Sequence, residues 1–225
     1  MNISLSRLLL TSLVLLTSIV SADVLGNIKV CALRVNFQID DHESTSGDGS
    51  FLDSTYFVCD NYTIDPPPHD KSYFTSQLKA VDSYYRNVSY NLFGIDLNES
   101  QVYPVENNDS YSLENTMNYY NPYNEDELQE SRLTELLKDA ANKAYEIDSI
   151  EFSSYDLIVV FHAGIGQDFS LPFLDPTPED IPSTYVDPNM INTYLNNTDW
   201  YIGESIIEKG IIVPETQNHL FYEKL

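Results

Sequence analysis

Leu157 to Phe161 is an unbroken apolar run rich in β-branched residues, set between polar Tyr155-Asp156 and the segment His162-Ala-Gly164-Ile-Gly166. A run that short and apolar at every position predicts a central strand in a sheet covered on both faces by helices. It is expected to break into the glycine pair, where residues without a Cβ let the backbone turn tightly or approach another group closely. Open α/β sheets place their sites just beyond strand ends, so this segment is the first place to look for function.

Upstream, Asn27 to Phe37 sets Ile28, Val30, Ala32, Val35 and Phe37 in near alternation and predicts a first strand. Residues 40–53 turn to Asp, Ser and Gly, which reads as a surface loop. Phe57-Val-Cys59 predicts a short edge strand, and Pro66-Pro67-Pro68 then ends regular pairing because proline donates no backbone hydrogen. Asp70 is placed to cap a helix that carries Phe74, Leu78, Val81 and Tyr85 on one stripe, expected to pack on the sheet. Ser89 to Val105 predicts one or two strands with a turn near Asn98-Glu-Ser100. Asn107 to Tyr123, rich in Asn and Tyr with little periodicity, predicts a long exposed loop.

The second helix is the clearest element. Asn124-Glu-Asp-Glu127 resembles a capping box, and Leu133, Leu136, Leu137, Ala140 and Ala144 then share one face. Beyond the glycine pair, prolines at 172, 176, 178 and 182 predict a rigid but irregular segment. Met190 to Asn196 predicts a helical turn, and Glu204 to Val213 two short strands around Gly210. The order of elements predicts an α/β fold, a sheet with covering helices.

Composition changes the picture first at the N-terminus. Arg7, the apolar stretch Leu8 to Val20 and the small residues before Ala22 make the pattern of a secretory signal, cut between Ala22 and Asp23. The stretch is short for a bilayer span, and a retained N-terminal anchor is the alternative. Residues 23–225 are therefore expected to form one exported, extracellular, monomeric domain. The net charge of −24 argues against nucleic-acid and anionic-membrane partners, and suits saline surroundings or cations held by carboxylates.

Two cysteines, Cys31 and Cys59, leave two readings: a disulfide, worth about 3–4 kcal/mol in the chain-entropy account, or two buried thiols. Sequons stand at Asn61, Asn87, Asn98, Asn108 and Asn197, as chance allows in an Asn- and Ser-rich chain.

Candidate chemistry is sparse. The four histidines, His42, His69, His162 and His219, are scattered, and no His-Glu-x-x-His occurs. Gly-x-Ser-x-Gly and a phosphate loop ending in Lys-Ser or Lys-Thr are also absent. His162 has two readings: a ring facing a cleft at the strand end, or an imidazole tying down the turn through backbone hydrogen bonds. Asp168, Asp175, Glu179, Asp180 and Asp187 could offer oxygen ligands to calcium, or simply be solvated acids. Tyr84-Tyr85 and Tyr119-Tyr120-Asn-Pro-Tyr123 could stack on sugar, which keeps carbohydrate binding in view.

Several segments in order carry a family resemblance. Pro66 to Phe74, Ala80 to Ser89 and Asp156 to Gly166 resemble the N-terminal half of the catalytic domain of the immune-inhibitor-A family of secreted zinc metallopeptidases, peptidase family M-six. Asp175 to Ser183 and Gly210 to Glu215 resemble a bacterial, often marine, branch of it. The resemblance implies a zincin-like mixed sheet, incomplete at the C-terminus, and in the full-length parent a zinc endopeptidase acting on protein or peptide. Zinc is implied for that parent only, because the family's zinc-binding helix is expected after the Gly210–Glu215 segment. No catalytic or metal-binding residue is thus carried onto this chain; His162, Gly164 and Gly166 match a family motif that is not the zinc site. The sequence reads as the N-terminal portion of such a domain, inactive alone, with a non-catalytic module binding peptide or carbohydrate as the alternative.

Overall fold

The structure is a computed structural model that describes residues 26–52, 65–123, 125–168, 175–195 and 200–217. The single strand expected over 27–37 is two, β1 (Gly26–Ile28) and β2 (Val30–Asn36). The break falls at Lys29, whose amide donates to the Asp156 carboxylate at 2.7 Å while its carbonyl accepts from the Asp156 amide. β1 turns aside there to pair with β3 (Phe93–Ile95), and β2 enters the main sheet.

That sheet runs in the order β4 (Gln101–Tyr103), β2, β6 (Leu157–Ile165), β10 (Gly210–Thr216) and β7 (Thr184–Val186), with β5 (Tyr111–Ser112) pairing further along β2. All neighbours are parallel except β7, which is antiparallel to β10. The sheet is mixed, and helices lie on both its faces, as the apolar runs predict. A hairpin of β8 (Tyr201–Ile202) and β9 (Ser205–Ile206) stands apart.

Alternation along β2 sends Cys31, Leu33 and Val35 to one core and Val30 and Ala32 to the other; β6 does the same with Ile158 and Val160 against Val159 and Phe161. Burial on both faces is why these strands read as continuous apolar runs. Over the first face lies α3 (Asp126–Asp148), burying Leu133, Leu136, Leu137, Ala140 and Ala144 as its periodicity predicts. It sits close: a Cβ on Gly210 would come within 2.5 Å of Leu137 Cδ1. The short helices α2 (Met117–Tyr120) and α4 (Pro188–Tyr194) pack on the same side.

The second face carries α1 (Lys71–Val88), capped as expected by the Asp70 carboxylate accepting from the Tyr73 amide at 3.0 Å. Its stripe departs from expectation. Phe74 and Leu78 are buried, but Val81 and Tyr85 are 43% and 42% exposed. The residue turned inward in their place is Asp82, which accepts from the Ile95 amide at 2.7 Å and from Arg86 Nε at 2.9 Å. The second half of α1 is thereby tied to β3 and leaves a gap over the main sheet.

Three further expectations are corrected. The segment 107–123 is not an exposed loop, since Tyr111, Leu113, Met117 and Tyr120 are buried in the first core. The central strand does not end at Phe161 but continues through His162 and Gly164 to Ile165. α3 starts at Asp126 behind Glu125, which makes no side-chain capping bond; Asn124 lies outside the described residues. The Phe57–Cys59 strand also falls outside them.

Candidate functional site

β6 and β10 run in register from Ile158 opposite Gly210 to His162 opposite Pro214, and then the register shifts so that Thr216 faces Ile165. The extra residue lies on β6, where Ala163 and Gly164 together face the single Glu215 of β10. A bulge disrupts the ladder locally, and here the Glu215 carboxylate turns inward opposite it. Glu215 Oε1 accepts from the Leu52 amide at 2.6 Å and from His69 Nδ1 at 2.7 Å, and Oε2 accepts from the Gly164 amide at 3.0 Å. Charge-assisted bonds of this kind contribute about 1.5–3 kcal/mol each, and these three fasten together segments far apart in the chain.

The other His69 nitrogen, Nε2, lies 3.2 Å from the Asp65 carbonyl oxygen. Both ring nitrogens therefore face acceptors that have no hydrogen to give, an arrangement that favours the doubly protonated ring. Burial alone would lower the His69 pKa; the Glu215 carboxylate and the Asp65 oxygens outweigh it and raise the value. The ring stacks on Tyr73 with centroids 4.2 Å apart. The Tyr73 hydroxyl donates to the Asp65 carboxylate, which also accepts from the Thr216 hydroxyl. Burial, with Asp65 beside it, pushes the Tyr73 phenol up.

Close neighbours explain the glycine pair. Gly164 has φ +92°, and a Cβ there would overlap the Met117 methyl; one on Gly166 would overlap the Gln217 amide and lie 2.8 Å from Pro214 Cγ. Both glycines are set by close approach. His162 is fully buried beside Phe37, with Nδ1 donating to the Ala163 carbonyl at 2.9 Å, and burial lowers its pKa to about 4. Of its two readings, the geometry gives the ring bonded to backbone; it does not line the cleft described next.

Between α1 and the second sheet face lies a cleft of about 1180 Å³. Val159, Phe161, Ile211 and Val213 line its floor, and Leu78, Val81 and Tyr85 its helical wall. Its charged lining residues are Asp65 and Glu215, both at the end where the buried network lies.

The remaining candidates are dispersed. Asp168 accepts from the Ser183 amide at 2.8 Å, and Asp175 from the Thr177 amide at 3.0 Å. Glu179 faces His42 at 3.3 Å, and Asp187 caps α4 through the Met190 amide at 2.9 Å. Asp180 accepts from the Ser46 amide at 2.6 Å, and burial raises its pKa to about 6. Among the described residues no three His, Cys, Asp or Glu side chains are grouped so as to hold a metal ion. Cys31 is buried on β2, where burial pushes its thiol up; Cys59, Ala22, Asp23 and His219 lie outside the described residues. Tyr84 and Tyr85 meet edge to face near the cleft, whereas Tyr120 is buried with its hydroxyl on Asp139 at 2.8 Å.

Sequence reasoning missed the His69–Glu215 pair and the cleft. The only signals were an acid closing an apolar strand, Ile211-Ile-Val-Pro-Glu215, and an α1 stripe longer than its sheet contact. No helix of the described residues is long and apolar enough to cross a membrane. Comparison with protein-family models, curated proteins and solved structures finds no match to this chain.

Proposed function

We propose that this chain is the sheet-bearing portion of an exported zinc endopeptidase of the immune-inhibitor-A type, whose metal is held by residues outside those described. One observation carries the reading. Three segments that bear the family resemblance, 66–74, 156–166 and 210–215, meet in one buried network through His69, Gly164 and Glu215. Motifs remote in sequence that converge on one joint are what a shared scaffold requires.

The scaffold has a place for a peptide. β7 forms one edge of the main sheet, and no strand covers its outer side among the described residues. An extended peptide added there would gain main-chain hydrogen bonds along Thr184–Val186, with exposed Tyr185 beside it. The buried network is anchored on β10, the strand that pairs with β7. A zinc ion in the parent would supply a Lewis acid and an activated water; the role of this chain is to orient the substrate.

The test is to read the coding DNA past codon 225 and express the longer product. The reading requires an in-frame His-Glu-x-x-His and chelator-sensitive cleavage of casein. An immediate stop codon, with no cleavage by the native product, would sink it and leave the non-catalytic binding module, a reading that the apolar cleft favours.

A further inference from the structure

Among the described residues, the sheet face that carries Val159 and Phe161 is only partly covered. Five strands spaced about 4.8 Å apart span roughly 19 Å, whereas a helix with its side chains is about 10 Å across, so a complete cover takes two helices. The opposite face has α3 with α2 and α4 beside it. This one has α1 as its one helix among the described residues, with the β1–β3 ribbon and Phe51 beside it, and Ile211 and Val213 of β10 are left half-buried. Ile211 and Val213 floor the strip that these leave open. Along the α1 wall, Phe74 to Tyr85 spans about 16 Å at 1.5 Å per residue, the length of three turns.

The charge of the strip is one-sided. Among the described residues no Lys, Arg or His lines the cleft. Glu215 is paired with His69, but the Asp65 carboxylate takes hydroxyl donors, from Tyr73 and Thr216. A cation at that end meets an anion within a chain of net charge −24.

We propose that this cleft docks an amphipathic α-helix of a partner polypeptide, apolar on one face and carrying Lys or Arg at the end that meets Asp65. The half-exposed Val81 and Tyr85 leave the cleft open along its side, which suits a helix laid in from solvent. The inference does not rest on the peptidase reading, since it uses only the uncovered face and its charge.

The experiment titrates the full chain with three dansyl-labelled designed peptides of 14 residues, followed by fluorescence anisotropy. One has a Leu face and a Lys face; in the second Ala replaces Leu, and in the third Glu replaces Lys. The Leu/Lys peptide should bind at least tenfold more tightly than either control. Ile211→Asp and Val81→Asp should each weaken it at least tenfold. Val81 is already half exposed, so Val81→Asp should fold, which its thermal midpoint checks. Equal binding of the Leu/Lys and Ala/Lys peptides would overturn the proposal, because it would reduce the effect to surface charge. Undiminished binding by folded Val81→Asp would also overturn it. So would sedimentation of the free chain as a dimer that Val81→Asp dissociates, since a second copy would then cover the cleft.

Discussion

Glu215 and His69 are 146 positions apart, yet their side chains meet at 2.7 Å with neither exposed to solvent. Breaking a buried ion pair from one side leaves an uncompensated charge, at a cost of about 3–5 kcal/mol. Glu215→Ala is expected to lower stability by that order, since it also strips acceptors from the Leu52 and Gly164 amides. The double variant Glu215→Leu, His69→Phe should recover part of the loss. Urea unfolding of the two variants checks both statements.

Gly164→Ala should destabilise by about 1–3 kcal/mol from its backbone conformation alone, with the overlap on Met117 added. In a Met117→Ala background the overlap disappears while the φ of +92° remains. The second substitution should therefore make Gly164→Ala less costly but not free. Equal cost in both backgrounds would mean that Met117 does not press on the turn.

Three buried groups give stability a pH dependence with opposing signs. His162 has its pKa lowered by burial from 6.5 to about 4, so its contribution is lost as pH falls through that window, by about 3 kcal/mol. Asp180, raised by burial from 3.8 to about 6, acts the other way, and stability falls as pH rises between those values. The His69 pKa is raised by its acidic partners, so its contribution is complete below 6.5 and lost as pH rises through the folded value. Thermal midpoints across pH 4 to 9 should show that His162→Leu flattens the acid-side loss. His69→Gln should remove the loss that sets in above pH 6.5.

An extended peptide added to the outer edge of β7 should slow hydrogen exchange of the amides in Thr184–Val186. The same peptide with an N-methylated backbone lacks the main-chain donors and should give no protection. Protection by both peptides would place the contact elsewhere.

The elements that sequence made legible are those whose apolar spacing alone determines them. β6, α3 and the Asp70 cap belong here, and so does the strand beginning at Gly210. β7 could not be read, because Thr184-Tyr-Val186 has no apolar alternation and owes its form to pairing with β10. The segment 107–123 looked solvated because it is rich in Asn and Tyr. Tyr111 and Tyr120 are interior because their hydroxyls reach acids, Asp148 and Asp139. Arg34 sits inside a strand because the carbonyls of Pro104, Glu106 and Asn107 accept its protons. At the site, the glycine pair was visible but its cause was not. Met117, Gln217 and Glu215 reach it only through the fold, and no local pattern announces a contact across such separations.

The most direct test of the peptidase account is metal analysis, coupled to intact mass, of the protein purified from its source. The account predicts a chain longer than 225 residues holding one zinc ion, with peptide-cleaving activity lost to a chelator. A stable chain ending at Leu225, free of zinc and unable to cut casein, would contradict it.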